Sequence, residues 1–152
     1  MYTIWKRSSP PPMMLNFDAS ERHFCSVRRQ KTSTPLQALV TLNDPQFVEA
    51  ARVLAQRAWA KGQGTKETMP ASAIAYAFTS LTSRPPRQNE LDAMKQLYEE
   101  EYRDFLKNPK RADELLKVGE YPIDKSLNKA ALAAMTIVAS TMMNFDEFVI
   151  KR

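Results

Sequence analysis

The stretch AALAAMTIVASTMM, Ala130 to Met143, is apolar nearly all round when wound into a helix. A helix read from about Asn128 to Met143 therefore has no broad face to offer water, and such a helix belongs in the middle of a bundle. The run is shorter than the ~18–20 apolar residues a bilayer requires, and it carries hydroxyls, so it is not read as a membrane span. One helix enclosed on every side needs several others around it.

The rest of the chain supplies them. Three Gly against ten Pro, with the prolines at apparent element boundaries, favours helices throughout. Thr34 is placed as an N-cap with Pro35 at the first helical position, followed by Leu36, Leu39 and Val40 at helical spacing. After "NDP" (Asn43 to Pro45) a second helix runs to about Lys61. Phe47, Ala51, Leu54 and Ala58 line one of its faces, and Glu49, Arg52 and Gln56 take the other. Gly62 and Gly64 end it.

Ile74, Ala77, Phe78 and Leu81 mark a third helix, stopped by "SRPPR". A fourth spans roughly Gln88 to Lys107 and buries Leu91, Met94, Tyr98, Tyr102 and Phe105, with Glu99 placed to pair Arg103. A short helix follows Pro109 and ends at Gly119. The expected fold is thus all-α, a bundle of about five to six helices, in one domain over residues 1–152. Residues 34–152 form the helical body. Residues 1–33 lack helical periodicity, and Pro10, Pro11 and Pro12 predict an extended, polyproline-like stretch packed on that body. "HFCSV" (His23 to Val27) reads as a short strand or as extended chain.

Net charge is uneven: +6 over residues 1–66 and −1 over residues 67–152. The basic part is densest at Arg22, Arg28, Arg29 and Lys31, which are candidates for an anion or an interdomain contact. Asp18, Glu21, Thr34 and Asn43 are candidates for a structural polar network, the two acids being the nearest partners in sequence for the arginines.

Other chemistries are poorly supplied. One His and one Cys cannot build a His/Cys zinc site, and Cys-x-x-Cys-His for haem attachment is absent. There is no glycine-rich phosphate cradle. His23 and Cys25 would share one side of an extended strand, but no oxyanion hole is readable beside them, so no catalytic residue is assigned. Asp146 and Glu147 are too few for a calcium site and read as terminating the last helix region. "RRQK" before a helix raises nucleic-acid binding, yet that helix offers only Gln37 and Thr41 as polar readers. "MYTIWKRSSPPP" has no apolar core of a signal peptide, and Tyr2, Ile4 and Trp5 read as the middle of something longer.

Several motifs together carry a family resemblance: Trp-Lys-Arg before triple proline, "FDA", Arg22, Cys25, Val-Arg-Arg at 27–29, "TPLQAL" and "LND". Later in the chain stand "SRPP" with Glu90, "VGE" (Val118 to Glu120) and "NFDEF" (Asn144 to Phe148). Across essentially its whole length the chain resembles the C-terminal domain of unknown function, family fifteen fifty-three, of planctomycete and Bacteroidetes proteins that accompany planctomycete-type cytochrome c domains. One departure is Arg87, which stands where the family has a hydroxyl N-cap three residues before Glu90, so that helix start is expected to be frayed or capped otherwise.

The resemblance implies an accessory or interaction domain of a larger extracytoplasmic protein, periplasmic or secreted, not catalytic by itself. Its partners would be upstream domains of the same polypeptide. It implies no cofactor in this chain, haem being confined to an upstream domain. The alternative is part of an enzyme site that binds acidic or sulfated polysaccharide through the arginines, whose planar forks suit sulfate and carboxylate.

Overall fold

The structure is a computed structural model and describes residue 6 and residues 9–19, 27–28, 32–62 and 71–149. Helices follow in the order α1 (Pro12–Asn16), α2 (Pro35–Asn43), α3 (Pro45–Lys61), α4 (Ala71–Thr82), α5 (Gln88–Lys107), α6 (Pro109–Leu116), α7 (Lys129–Met142) and α8 (Asp146–Val149). The described residues form no strand, only an isolated bridge between Lys6 and Ser9. The fold is all-α.

Proline opens α1, α2, α3 and α6. Each sits in the first turn, where its missing N–H has no helical partner to lose. Polar side chains complete other starts: Asp44 accepts from Gln46 N at 2.9 Å, and Asn128 from Ala130 N at 2.9 Å. Helix α7 occupies the centre, with its widest packing against α3 and α5. From Ala130 to Met142 every residue is buried except Ile137 and Thr141, which are half-buried. Alanines let the backbones approach: Ala51, Ala55 and Ala58 of α3 are fully buried, as are Ala131, Ala133, Ala134 and Ala139 of α7. Thr136 is tolerated in this core because its hydroxyl donates to Leu132 O at 2.8 Å. At the end of α3, a Cβ on Gly62 would lie 2.6 Å from Ala73 Cβ, so its absence lets α4 begin close by.

Three sequence expectations need correction. The triple proline does not hold the chain extended throughout. Pro11 keeps polyproline-like angles (φ −58°, ψ 126°), but Pro12 starts the five-residue α1. Phe17 then reaches Phe47 of α3, ring centroids 5.9 Å apart, which packs this segment on the bundle. Second, Arg52 is not on a solvated face; it is 1% exposed. Third, Gln37 and Thr41 point inward rather than outward, at 3% and 1% exposure. Both find acceptors there, so their burial is compensated.

Thr34 caps α2 as its sequence position implies. Its hydroxyl accepts from Gln37 N at 3.4 Å while Gln37 Oε1 accepts from Thr34 N at 3.3 Å, a reciprocal capping box. Thr34→Ala is expected to lower stability by about 1 kcal/mol. Urea melts of the two proteins check it, and equal midpoints would mean the cap does not stabilise the fold.

Candidate functional site

Four polar braces join segments far apart in sequence, and each contains residues from the motifs singled out above. The first closes the basic segment. Asp18, with φ +55°, accepts from Thr32 N at 2.7 Å and from the Thr32 hydroxyl at 2.9 Å. Gln37 Nε2 donates to Asn16 O at 2.7 Å and to Thr32 Oγ1 at 3.2 Å. The residues on either side of 19–31 are thereby tied to one another and to the start of α2. Asp18 thus holds the backbone at the foot of the basic segment.

A second brace sits at the other end of α2. The Thr41 hydroxyl donates to Asn144 Oδ1, and Asn144 Nδ2 donates to Ser140 O at 3.0 Å. Among the described residues Asn43 acts locally, donating to Leu39 O at 2.9 Å. The third brace joins α3 to the chain after α6. Arg52 Nη2 donates to Tyr121 O at 2.8 Å and Val118 O at 3.3 Å, with Glu49 Oε1 3.7 Å away. The Glu49 carboxylate also accepts from Tyr121 N.

The fourth brace is built on Arg84 of "SRPP". Its guanidinium meets Glu90 in a bidentate pair (2.7 and 2.9 Å), Glu147 through Nε at 2.8 Å and Nη2 at 3.1 Å, and Pro85 O at 3.2 Å. All five guanidinium hydrogens therefore have acceptors, leaving none for a ligand. The cation also lies 4.8 Å from the centroid of Phe78. Glu90 Oε2 accepts from Arg87 N at 2.7 Å, which supplies the cap that Arg87 itself does not. The helix start is capped from within, by the glutamate alone.

Glu90 gives a pH prediction. The Arg84 hydrogen bonds, with the Arg87 N–H second, lower its pKa from 4.5 to about 2. A carboxyl depressed in the folded state stabilises fully above its unfolded pKa and loses that contribution as pH falls through the folded value. Glu90→Gln is thus expected to melt below the parent at pH 6 and to approach it as pH falls from 4.5 towards 2. A gap in melting temperature that stays constant over that range would show that ionised Glu90 does not stabilise the fold.

The sequence candidates divide accordingly. Thr34, Asp18 and Asn43 hold backbone. Arg28 is exposed beside Val27. Arg22, Arg29, Lys31 and Glu21 lie outside the described residues, as do His23 and Cys25. What the braces leave exposed is the outer side of α2. Leu36, Leu39 and Leu42 are 55%, 57% and 48% exposed while Gln37 and Thr41 are buried, so this helix shows its leucines to solvent. Sequence reading missed this, although Leu at i, i+3 and i+6 beside Gln/Thr at i+1 and i+5 marks two competing faces. No described helix is long and apolar enough to cross a membrane.

A family model described as PSD1, protein of unknown function (DUF1553), matches residues 1–98. The matched part holds the basic segment, α2, Glu49, Arg52, Arg84 and Glu90, whereas Val118–Glu120 and Asn144–Phe148 lie beyond it. No curated protein and no solved structure matches the chain.

Proposed function

The chain belongs to the DUF1553 family of proteins of unknown function, and on that premise we propose that it is a non-catalytic interaction domain, docking through α2 on another domain of a larger extracytoplasmic polypeptide. The inverted burial of α2 carries this reading. A nine-residue helix that buries Gln37 and Thr41 and exposes Leu36, Leu39 and Leu42 gains by covering the leucines. Fully burying a leucine is worth ~1.5–3 kcal/mol, so completing three half-exposed ones offers roughly 2–4 kcal/mol to an interface. The excess positive charge of residues 1–66 suits an acidic partner. In this proposal the partner is a cytochrome c-type domain, which carries the haem. This chain lacks Cys-x-x-Cys-His and does not fit covalent haem itself.

The test compares hydrogen exchange in this domain alone and in the longer polypeptide. Amides of residues 35–43 are expected to gain protection in the longer form, and Leu39→Glu with Leu42→Lys to remove the gain without lowering the isolated domain's melting temperature. Equal exchange in both forms would overturn the docking.

A second reading follows from the exposure of Arg28: the segment holding Arg22, Arg28, Arg29 and Lys31 binds sulfated or carboxylated polysaccharide. Salt-sensitive binding of sulfated oligosaccharide, lost in Arg28→Ala at unchanged stability, would favour it. A nucleic-acid reading has less support, because the outward face of α2 is leucine and not a hydrogen-bonding edge reader.

A further inference from the structure

Away from α2, a cavity of about 380 Å³ opens between α6, the start of α7 and the chain joining them. Its floor is apolar. Leu116 and Leu132 are 2% and 1% exposed, and Ile123 and Leu127 are half-buried against the core. Its size falls at the lower end of small-molecule sites, which run ~300–1,000 Å³.

Charges surround this floor, and they sort into engaged and available groups. Lys129 Nζ donates to Asp113 Oδ1 at 2.6 Å. Asp124 Oδ1 accepts from Ser126 N at 2.9 Å and Ser126 Oγ at 2.7 Å. Asp113 is held below the usual carboxylate range by Lys129, and Asp124 by Ser126, so both acids are anionic at neutral pH. Lys117 adds to the positive field at Asp113, but neither it nor Lys125 makes an ion-pair contact among the described residues. The rim therefore carries one more positive than negative charge, beside an open apolar floor.

We propose that this cavity binds an amphiphilic monocarboxylate, its hydrocarbon part over Leu116, Leu127 and Leu132 and its carboxylate at Lys117 and Lys125. Each half of the ligand answers one half of the site. The apolar floor selects against small inorganic anions, which have nothing to bury there. The engaged aspartates repel a second negative charge, so a dianionic phosphate monoester is disfavoured. Lysine ammonium groups offer point charges rather than a guanidinium fork, sufficient for one carboxylate and without bidentate phosphate geometry. The site lies on the opposite side of the family match's end from α2 in sequence, at residues 113–132, and is independent of the docking reading.

Titration of the full chain with octanoate, followed by the NMR signals of Ile123, Leu127 and Leu132, tests the assignment. Saturable shifts confined to residues around the cavity are expected. Extending hexanoate to octanoate should tighten binding about fourfold per methylene until the cavity is filled. Octanol should bind at least about fivefold more weakly, and Lys117→Gln with Lys125→Gln should bring octanoate close to octanol. Both lysines are exposed, so the double variant keeps its fold, which the unchanged remainder of the spectrum verifies. Octanol binding as tightly as octanoate in the parent would reduce the site to an apolar cleft and overturn the proposal. So would an absence of saturable shifts, or inorganic phosphate competing as well as octanoate.

Discussion

Gly119→Ala is expected to destabilise the protein by about 2–4 kcal/mol, backbone strain and overpacking each contributing ~1–2 kcal/mol. Gly119 has φ +88°, where an L side chain is strained whatever the space. Space is lacking too: an added Cβ would lie 2.7 Å from Glu49 Cβ and Cγ and closer still to its Cδ. Glu49 cannot move aside freely. Its carboxylate accepts from Tyr121 N and stands 3.7 Å from Arg52 Nη2. Arg52 is 1% exposed, and its Nε and Nη1 find no acceptor among the described residues, so displacing Glu49 leaves a buried cation worse compensated. Urea denaturation of Gly119→Ala, Glu49→Ala and the double variant separates the parts. Truncating Glu49 removes two of the three clashing carbons, so the alanine's added cost in that background should shrink towards the backbone term. A Gly119→Ala protein within about 0.5 kcal/mol of the parent would show that the chain after α6 does not rest on Glu49.

The sequence disclosed what short-range physics controls. The run at 130–143 required an enclosed helix, and α7 is that helix. Prolines and the Thr34 cap placed helix starts, because φ restriction and capping act within a few residues. Gln88 to Lys107 was legible from periodicity alone and forms α5 with those bounds. The braces were not legible. Arg84 with Glu147 spans 63 residues, Glu49 with Tyr121 spans 72, and Thr41 with Asn144 spans 103. No local signal tells an arginine which distant carboxylate or carbonyl will meet it.

The direction α2 faces failed for a related reason. Its leucines look like core by hydropathy, but the acceptors offered by Asn16 O and Asn144 Oδ1 draw Gln37 and Thr41 inward instead. Arg52 illustrates the same limit. An arginine midway along an amphipathic helix reads as solvated until Val118 O and Tyr121 O arrive over it from another part of the chain. Of the basic candidates, only Arg28 lies among the described residues.

Phe78→Ala should have the largest effect of any single change considered, about 3–5 kcal/mol for a fully buried ring removed from a close-packed core. The ring meets Phe145 edge-on with centroids 6.0 Å apart, and it supports the Arg84 guanidinium at 4.8 Å. Its loss opens a cavity where α4 meets α5, α7 and α8, and it removes the surface on which Arg84 is positioned between Glu90 and Glu147. Two consequences separate this from an ordinary core deletion. Phe78→Leu retains an aliphatic core side chain and should cost less, yet it loses the cation–ring contact; Arg84→Ala should therefore cost less in both the Phe78→Ala and the Phe78→Leu backgrounds than in the parent. The second is electrostatic. With Arg84 less firmly placed, the Glu90 carboxyl should rise from about 2 towards its ordinary 4.5, which a carboxyl-carbon NMR titration reads directly. If Phe78→Ala costs the full core penalty while Glu90 titrates as in the parent, the ring fills space without orienting Arg84. The three-way brace then positions itself through its carboxylates alone.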